Sequence, residues 1–498
     1  MARAQATKKK RLAATRSGSG RPSKPGKAAP KPKGTAAPKG TETPKGSATP
    51  KGSSTPKGAT KPAAGDTTGL RVRMYRVGFG DFFLVTVPTA TGPKHILIDC
   101  GVHAGNIGSI GDAVKSMSEE TGSELALVIM THRHADHISG FATCKDLFGG
   151  FTVERVWMSW FEDPSNAKAA RFQAALTAVA VQVHAALTAR GAPGDVQFAH
   201  MVENITGTPT GLVGGASNQV ALGVLHGGFK NRPPVDYYQA GDEPTLPADL
   251  AAAGLTAQIL GPPIDPTLVA QMDNKSHQYL ALTELVTTEV GPAFTGAFQT
   301  NADSYPREAF FPDSPDEVEA MVTRLQPEVL SAVAQQADNT LNNQSLVVLF
   351  GFRGKTLLFS GDAQWGNWAN FLFGGTVSGP GPAKLLDRSR QILSSVDFYK
   401  VGHHGSTNAT PVDALEALRD GCVAMCSTEP GQYGSQAKGS EVPRLPLLAA
   451  LDQKTEHQLV RSDQIKTAGK APTAGLPPPP QVFEVPTGEL FIDYHFVV

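Results

Sequence analysis

Seven residues, Thr131-His132-Arg133-His134-Ala135-Asp136-His137, constrain this chain more than any other stretch. Four metal-binding side chains fall within six residues, directly after an apolar run, Leu125-Ala126-Leu127-Val128-Ile129-Met130. The run is short, continuous and bounded by Gly122 and the histidines, so it reads as a buried strand rather than a helix. A strand that ends in a tight turn lets His132 and His134 point the same way. Asp136 and His137, past the turn, then face the same small space from the other side. Neutral imidazoles and a carboxylate are the ligand set of zinc or a similar divalent ion. Without a cation, so many polar groups would compete for partners in a desolvated place. The bland alternative, a solvated His-rich loop, is disfavoured by the spacing and by a second cluster further along.

The formal net charge of zero over 498 residues conceals an asymmetry. Residues 1–65 hold 16 Lys/Arg against one acidic residue, Glu42, leaving a body with 29 basic and 44 acidic residues. Residues 1–68 are Lys, Pro, Gly, Ser, Thr and Ala with almost no large apolar side chains, and near-identical hexads start at Thr43, Thr49 and Thr55. Such a segment cannot bury enough surface to offset chain entropy, so a disordered basic tail is expected. It resembles the Lys/Pro/Ala tails of linker-histone-like proteins, which implies nucleic acid as a partner, held through its phosphates in a salt-sensitive, sequence-blind way. A solubilising tether, or an arm docked on the acidic body, fits the composition equally well.

No apolar stretch approaches the ~18–20 residues that span a bilayer, and no apolar segment of a secretory signal follows the charged N-terminus. Four cysteines, Cys100, Cys144, Cys422 and Cys426, make no disulfide framework in so long a chain, and reduced thiols in a cytoplasmic protein are expected.

The folded part is expected over residues 69–498. Residues 72–77 and 82–87 read as paired strands around Gly78-Phe79-Gly80-Asp81, and a third strand, 95–99, ends at Asp99-Cys100-Gly101. A carboxylate at such a strand end suits support of the metal-site turn through hydrogen bonds, and Asp81 in its glycine turn could do the same, although a plain turn Asp fits nearly as well. A helix is expected over 111–120 and another over 139–148, its N-terminus towards the metals. Strand 153–157 follows. Phe172, Leu176, Val179, Val183 and Leu187 then recur at helical spacing along one apolar face.

Residues 255–260 read as a strand. Residues 264–340 read as a long insertion with a helix over 316–337, either a lid beside the catalytic face or a peripheral decoration. Strands are expected again over 342–350, 356–362 (ending Ser360-Gly361-Asp362) and 396–401 (running into Gly402-His403-His404-Gly405-Ser406). A helix over 445–451 and closing strands over 482–485 and 490–497 complete the pattern. Asp99, the 132–137 cluster, Asp362 and His403/His404 thus all stand at strand ends, and two packed sheets would bring them to one edge.

The arrangement His-x-His-x-Asp-His resembles the signature of the metallo-β-lactamase superfamily of metallohydrolases. Val77-Gly78-Phe79-Gly80-Asp81, Ile98-Asp99-Cys100-Gly101, Asn342-Asn343-Gln344-Ser345, Ser360-Gly361-Asp362 and Lys400-Val401-Gly402-His403-His404-Gly405-Ser406 narrow the resemblance to the ComEC-type branch, named for a domain of a bacterial DNA-uptake membrane protein. It implies an αββα sandwich and a dinuclear site in a soluble, standalone relative. Two divalent ions, zinc or manganese, would lie ~3.5–4 Å apart and share a hydroxide that attacks phosphodiesters such as DNA.

In the implied assignment, His132 and His134 hold one ion, Asp136, His137 and His404 the other, and Asp362 bridges them. His404 is favoured as the ligand because His-x-Ser after a strand resembles the last ligand motif of related ribonucleases. His403 would then contact substrate or give a proton to the leaving group. An amide oxygen of the Asn342–Ser345 segment, Asn342 first, or a water could fill the place of the third His missing from the first site; Lys400 could neutralise a phosphate, although a strand Lys is usually just solvated, and Ser406 could support either. Phe79 departs from the Gln usual in that branch. The same ligands fit hydrolysis of a small ester, lactone or thioester, and a catalytically silent module tethered to nucleic acid is the reading from another class.

Overall fold

The computed structural model describes residues 69–103, 109–189, 202, 204–205, 218–271, 274, 277–278, 338–375 and 384–498, apart from 435, 437–438, 467–470 and 489. The expected basic tail, the expected helix over 316–337 and most of the insertion lie outside the described residues.

Two sheets face each other. The first takes β1 (Arg71–Tyr75), β2 (Phe82–Thr89), β3 (Gly92–Cys100), β4 (Glu124–Ile129), β5 (Thr152–Ser159) and β6 (Val235–Tyr238), with the closing strands β13 (Phe483–Glu484) and β14 (Phe491–His495) at its other edge, in the order β13-β14-β1-β2-β3-β4-β5-β6. The second takes β7 (Thr256–Gly261), β8 (Val347–Phe352), β9 (Lys355–Phe359), β10 (Phe398–Lys400), β11 (Val423–Cys426) and β12 (Leu459–Arg461), in the order β12-β11-β10-β9-β8-β7. Each sheet begins as antiparallel hairpins and continues in parallel: β3 to β6 in the first, β9 to β12 in the second.

The parallel strands are buried on both faces, which explains their unbroken apolar runs. Period-2 alternation sorts their side chains between layers. Ile96 and Ile98 of β3, Leu357 and Phe359 of β9, and Val423 and Met425 of β11 point into the core between the sheets. Leu97 turns to the outer layer of the first sheet, and Leu358, Ala424 and Cys426 to that of the second. The rings of Trp157 and Phe350 stack across the sandwich with centroids 6.5 Å apart.

Helices α1 (Ile110–Thr121) and α2 (Ala135–Thr143) cover the first sheet through Ile110, Val114, Met117, Ile138 and Phe141. A long helix, α3 (Ala167–Ala189), follows β5. Four more, α4 (Trp365–Phe373), α5 (Asp387–Ser394), α6 (Val412–Ala417) and α7 (Leu445–Lys454), cover the second sheet through Trp368, Leu372, Leu393, Leu415 and Leu451. The architecture is therefore an αββα sandwich, as the sequence leads one to expect.

Two expectations are corrected. The helix placed at 139–148 starts at Ala135 and breaks at Cys144, so Asp136 and His137 belong to its first turn. Residues 342–346, read as strand, are not: Asn342 ends the helical residues 338–342, 343–346 form a buried loop, and β8 starts only at Val347. All four cysteines are free and buried. Among the described residues, no helix is long and apolar enough to cross a membrane.

Candidate metal site

The parallel strands of both sheets end at the same edge of the sandwich, the place where open α/β sheets collect ligands. From the first sheet, β3 ends next to Asp99 and β4 runs through Thr131 to His132. From the second, β9 leads to Asp362, β10 to the Gly402–Gly405 turn and β11 to Ser427. His403 and His404 both adopt left-handed backbone in that turn, with φ of 44° and 53°.

The backbone around Asp99 locks the first half. Asp99 Oδ1 accepts from the Thr131 amide at 2.8 Å, and Oδ2 accepts from the Thr131 hydroxyl and His137 Nδ1, both at 2.7 Å. Because the Thr131 hydroxyl hydrogen goes to Asp99, that oxygen is left to accept from His132 Nδ1 at 3.1 Å. Ser345 Oγ lies 3.3 Å from the same nitrogen and accepts from the Asp362 amide at 3.0 Å. In the second half, His404 Nδ1 donates to the Ser427 carbonyl at 2.8 Å. Each of these bonds fixes a tautomer and turns Nε2 inward.

Those inward atoms meet. His137 Nε2 is 3.0 Å from Asp362 Oδ2; His404 Nε2 is 3.3 Å from Asp136 Oδ2 and 3.6 Å from Asp362 Oδ2. Ligand atoms of Asp136, His137, Asp362 and His404 all lie within 4.8 Å of one another. The ring of His132 is 4.2 Å from that of His137 and 4.7 Å from that of His134. Yet Nε2 of His132, His134, His137 and His404, and both oxygens of Asp362, are buried without a hydrogen bond. Buried polar atoms are seldom orphaned. Close approach without hydrogen-bond geometry suits atoms that share a cation, since neighbouring ligands on a tetrahedral ion with ~2.1 Å bonds stand about 3.4 Å apart. The donor set therefore fits divalent metal.

The electrostatics agree. Burial opposes a charge on His137, but Asp362, Asp99 and Asp81 outweigh it and raise its pKa well above the usual imidazole value. His404 is raised in the same way, against burial, by Asp362 and Asp136. Burial would raise Asp362, but His137, His404 and His403 hold it well below the carboxylate range. Burial, with His137 and His134 beside it, drives His132 well below its ordinary value, so it stays neutral. The cluster of carboxylates thus attracts positive charge, and His132 offers it a lone pair.

Other residues singled out in the sequence have different surroundings. Asp81 accepts from the Gly101 amide through its carbonyl at 2.9 Å, and its carboxylate is in close contact with the Lys400 ammonium. Lys400, for which a phosphate contact and plain solvation were both open, is 2% exposed and donates to the Gly361 carbonyl at 3.0 Å, with its charge against Asp81. Asn342 keeps a buried Oδ1 without a hydrogen bond, but it is Ser345 that touches His132. Ser406 donates to Asn408 at 2.9 Å within its own loop. His403 has a side chain 22% exposed and Nε2 3.8 Å from Asp362 Oδ2. Phe79 packs its ring 4.2 Å from that of His404. Thr131 and Ser345 stood within the motifs named above without being singled out, and Ser427 stood in none of them. Asp338, with Oδ1 3.2 Å from His134 Nε2, gave no sequence signal at all.

No family model matches the chain, and no curated protein matches it. Among solved structures it is similar to the crystal structure of a beta-lactamase domain protein from Burkholderia ambifaria, at 18% identity over 41% of this chain and 50% of that one, with a TM-score of 0.20. The match spans half the length of that protein.

Proposed function

We propose that this chain is a metal-dependent hydrolase of the metallo-β-lactamase superfamily, ComEC-type branch, with a dinuclear centre that acts on phosphodiesters such as DNA. The observation that carries the reading is the set of buried, orphaned Nε2 and carboxylate atoms delivered by strand ends of both sheets. The substrate class rests on the motif resemblance and on the basic residues 1–65.

His132 and His134 would hold one ion, Asp136, His137 and His404 the other, and Asp362 would contact both. When bound, zinc or manganese lowers the pKa of water towards neutrality and polarises the scissile ester. The chain's own residues do the rest. Asp99 and the Ser427 carbonyl hold the imidazoles of His137 and His404 in one tautomer. Lys400 stabilises the Asp81 carboxylate beneath the cluster. His403, at the partly exposed rim, would hand a proton to the leaving alkoxide.

The test is turnover by the metal-loaded full chain of single-stranded DNA and of chromogenic phosphodiester and ester substrates. Phosphodiester cleavage that falls at least about 10³-fold in Asp136→Ala, with the fold intact by circular dichroism, is the expected result. Ester-only turnover would replace the substrate class with a small ester, lactone or thioester. Fewer than one ion per chain, with DNA binding indifferent to chelator, would leave only a binding module.

A further inference from the structure

Carboxylates are unevenly shared across the site. Asp136 and Asp362 gather with His137 and His404, and Asp81 and Asp99 also group with His137. The His132/His134 side is short of anionic donors, and two neutral imidazoles alone leave a divalent charge uncompensated. A carboxylate on that side is Asp338, in the helical residues 338–342.

Three observations aim Asp338 at this half of the site. Its Oδ1 stands 3.2 Å from His134 Nε2, which is buried and makes no hydrogen bond there. That separation without hydrogen-bond geometry matches the ~3.4 Å edge of a tetrahedral coordination sphere. Second, His132 Nε2 is also buried and unpartnered, on a ring 4.7 Å from that of His134. Third, the carboxylate is oriented: Asn204 Nδ2 donates to Asp338 Oδ1 at 3.3 Å, while Asn204 Oδ1 accepts from the Ala135 amide at 3.2 Å. Asn218 Nδ2 joins the two strands of this network, reaching Asn204 Oδ1 at 3.3 Å and the Arg133 carbonyl at 2.9 Å. Asp338 is thereby tied to the backbone of the same His-x-His-x-Asp-His turn that carries His132 and His134.

We propose that Asp338 is the third protein ligand of the ion held by His132 and His134. This rests on the dinuclear reading above and deepens it. Two histidines and a carboxylate with one open position form a ligand set of catalytic zinc sites. The same set, harder than three imidazoles, also accepts manganese.

The experiment uses the full chain in three forms: wild type, Asp338→Asn and Asp338→Glu. Each is titrated with zinc by calorimetry, checked for metal content, and loaded with cobalt(II) for its visible absorption. Asn keeps the shape and the contact to Asn204 while removing the charge. In the expected result the wild type binds two ions. Asp338→Asn loses affinity for one of them by at least about tenfold and changes the cobalt band of that site. Asp338→Glu keeps more of that affinity. Two ions bound by Asp338→Asn with wild-type affinity and an unchanged cobalt spectrum would overturn the ligand role and leave the dinuclear reading intact. A wild type that binds no ion would overturn both.

Discussion

Both oxygens of Asp99 are engaged within the chain: one accepts from the Thr131 amide, the other from the Thr131 hydroxyl and His137 Nδ1. Burial raises the pKa of Asp99, although His137 pulls against that rise. Its task is orientation, since the imidazole must present Nε2, and only an acceptor at Nδ1 enforces that tautomer. Asp99→Asn keeps the size and one acceptor oxygen, yet that oxygen cannot serve Thr131 and His137 as the carboxylate does. Zinc affinity measured by calorimetry is expected to fall about 10–100-fold, with a far-UV spectrum like that of the wild type. An unchanged affinity would mean that the imidazole is held by other contacts. Lys400 teaches a related lesson at this scale. Burial opposes its charge, Asp81 and Asp362 outweigh burial, and its pKa rises above the usual lysine value. A lysine so held acts as an internal counter-charge.

At the scale of elements, the site depends on how closely the end of β3 approaches the start of α2. Gly101 makes that approach possible: a Cβ there would fall 2.3 Å from the His137 amide nitrogen and 2.4 Å from the Asp136 carbonyl carbon. Gly140 faces the same strand end from the helix side, where a Cβ would meet Cys100 Sγ at 2.5 Å. Both contacts involve atoms that have little room to yield, so an added methyl must push the helix away from the strand. For Gly101→Ala we expect a loss of about 1–3 kcal/mol in urea unfolding, because overpacking of a dense core costs that much. We also expect weaker binding of the ion assigned to Asp136 and His137, since both ride on the displaced first turn. Normal metal affinity in a destabilised variant would show that the turn adjusts independently of the strand.

For the molecule as a whole, each sheet carries an antiparallel half and a parallel half, and the parallel halves present their carboxyl ends to the same edge. The first and last strands close the first sheet, β1 lying beside β14, and Arg73 grips Asp493 with bonds of 2.7 and 2.8 Å. The basic arm belongs to this scale too, since its charge complements the acidic body only in sum. A chain beginning at Gly69 is expected to keep its metal content and its turnover of a small chromogenic phosphodiester. Its affinity for single-stranded DNA should fall at low salt, with a shallower dependence of binding on salt concentration, because fewer phosphates are neutralised. Equal DNA affinity and salt slope in the two chains, measured by fluorescence anisotropy, would remove nucleic acid from the role of the arm.

Local chemistry wrote much of this into the sequence. Continuous apolar runs marked the buried parallel strands, and the polar residues that interrupt them marked the edge where Asp99, the 132–137 cluster, Asp362 and His404 emerge. Strand limits slipped by a few residues, and the start of α2 was read four residues late, because His and Asp in a first helical turn look like loop residues in a linear pattern. What tertiary structure alone decided is which atoms meet. The 3.0 Å approach of His137 to Asp362 joins residues 225 positions apart, and Asp338 and Ser427 carry no local pattern at all. Periodicity reports the face a side chain turns to, while distance between strand ends is set by the packing of one sheet on the other.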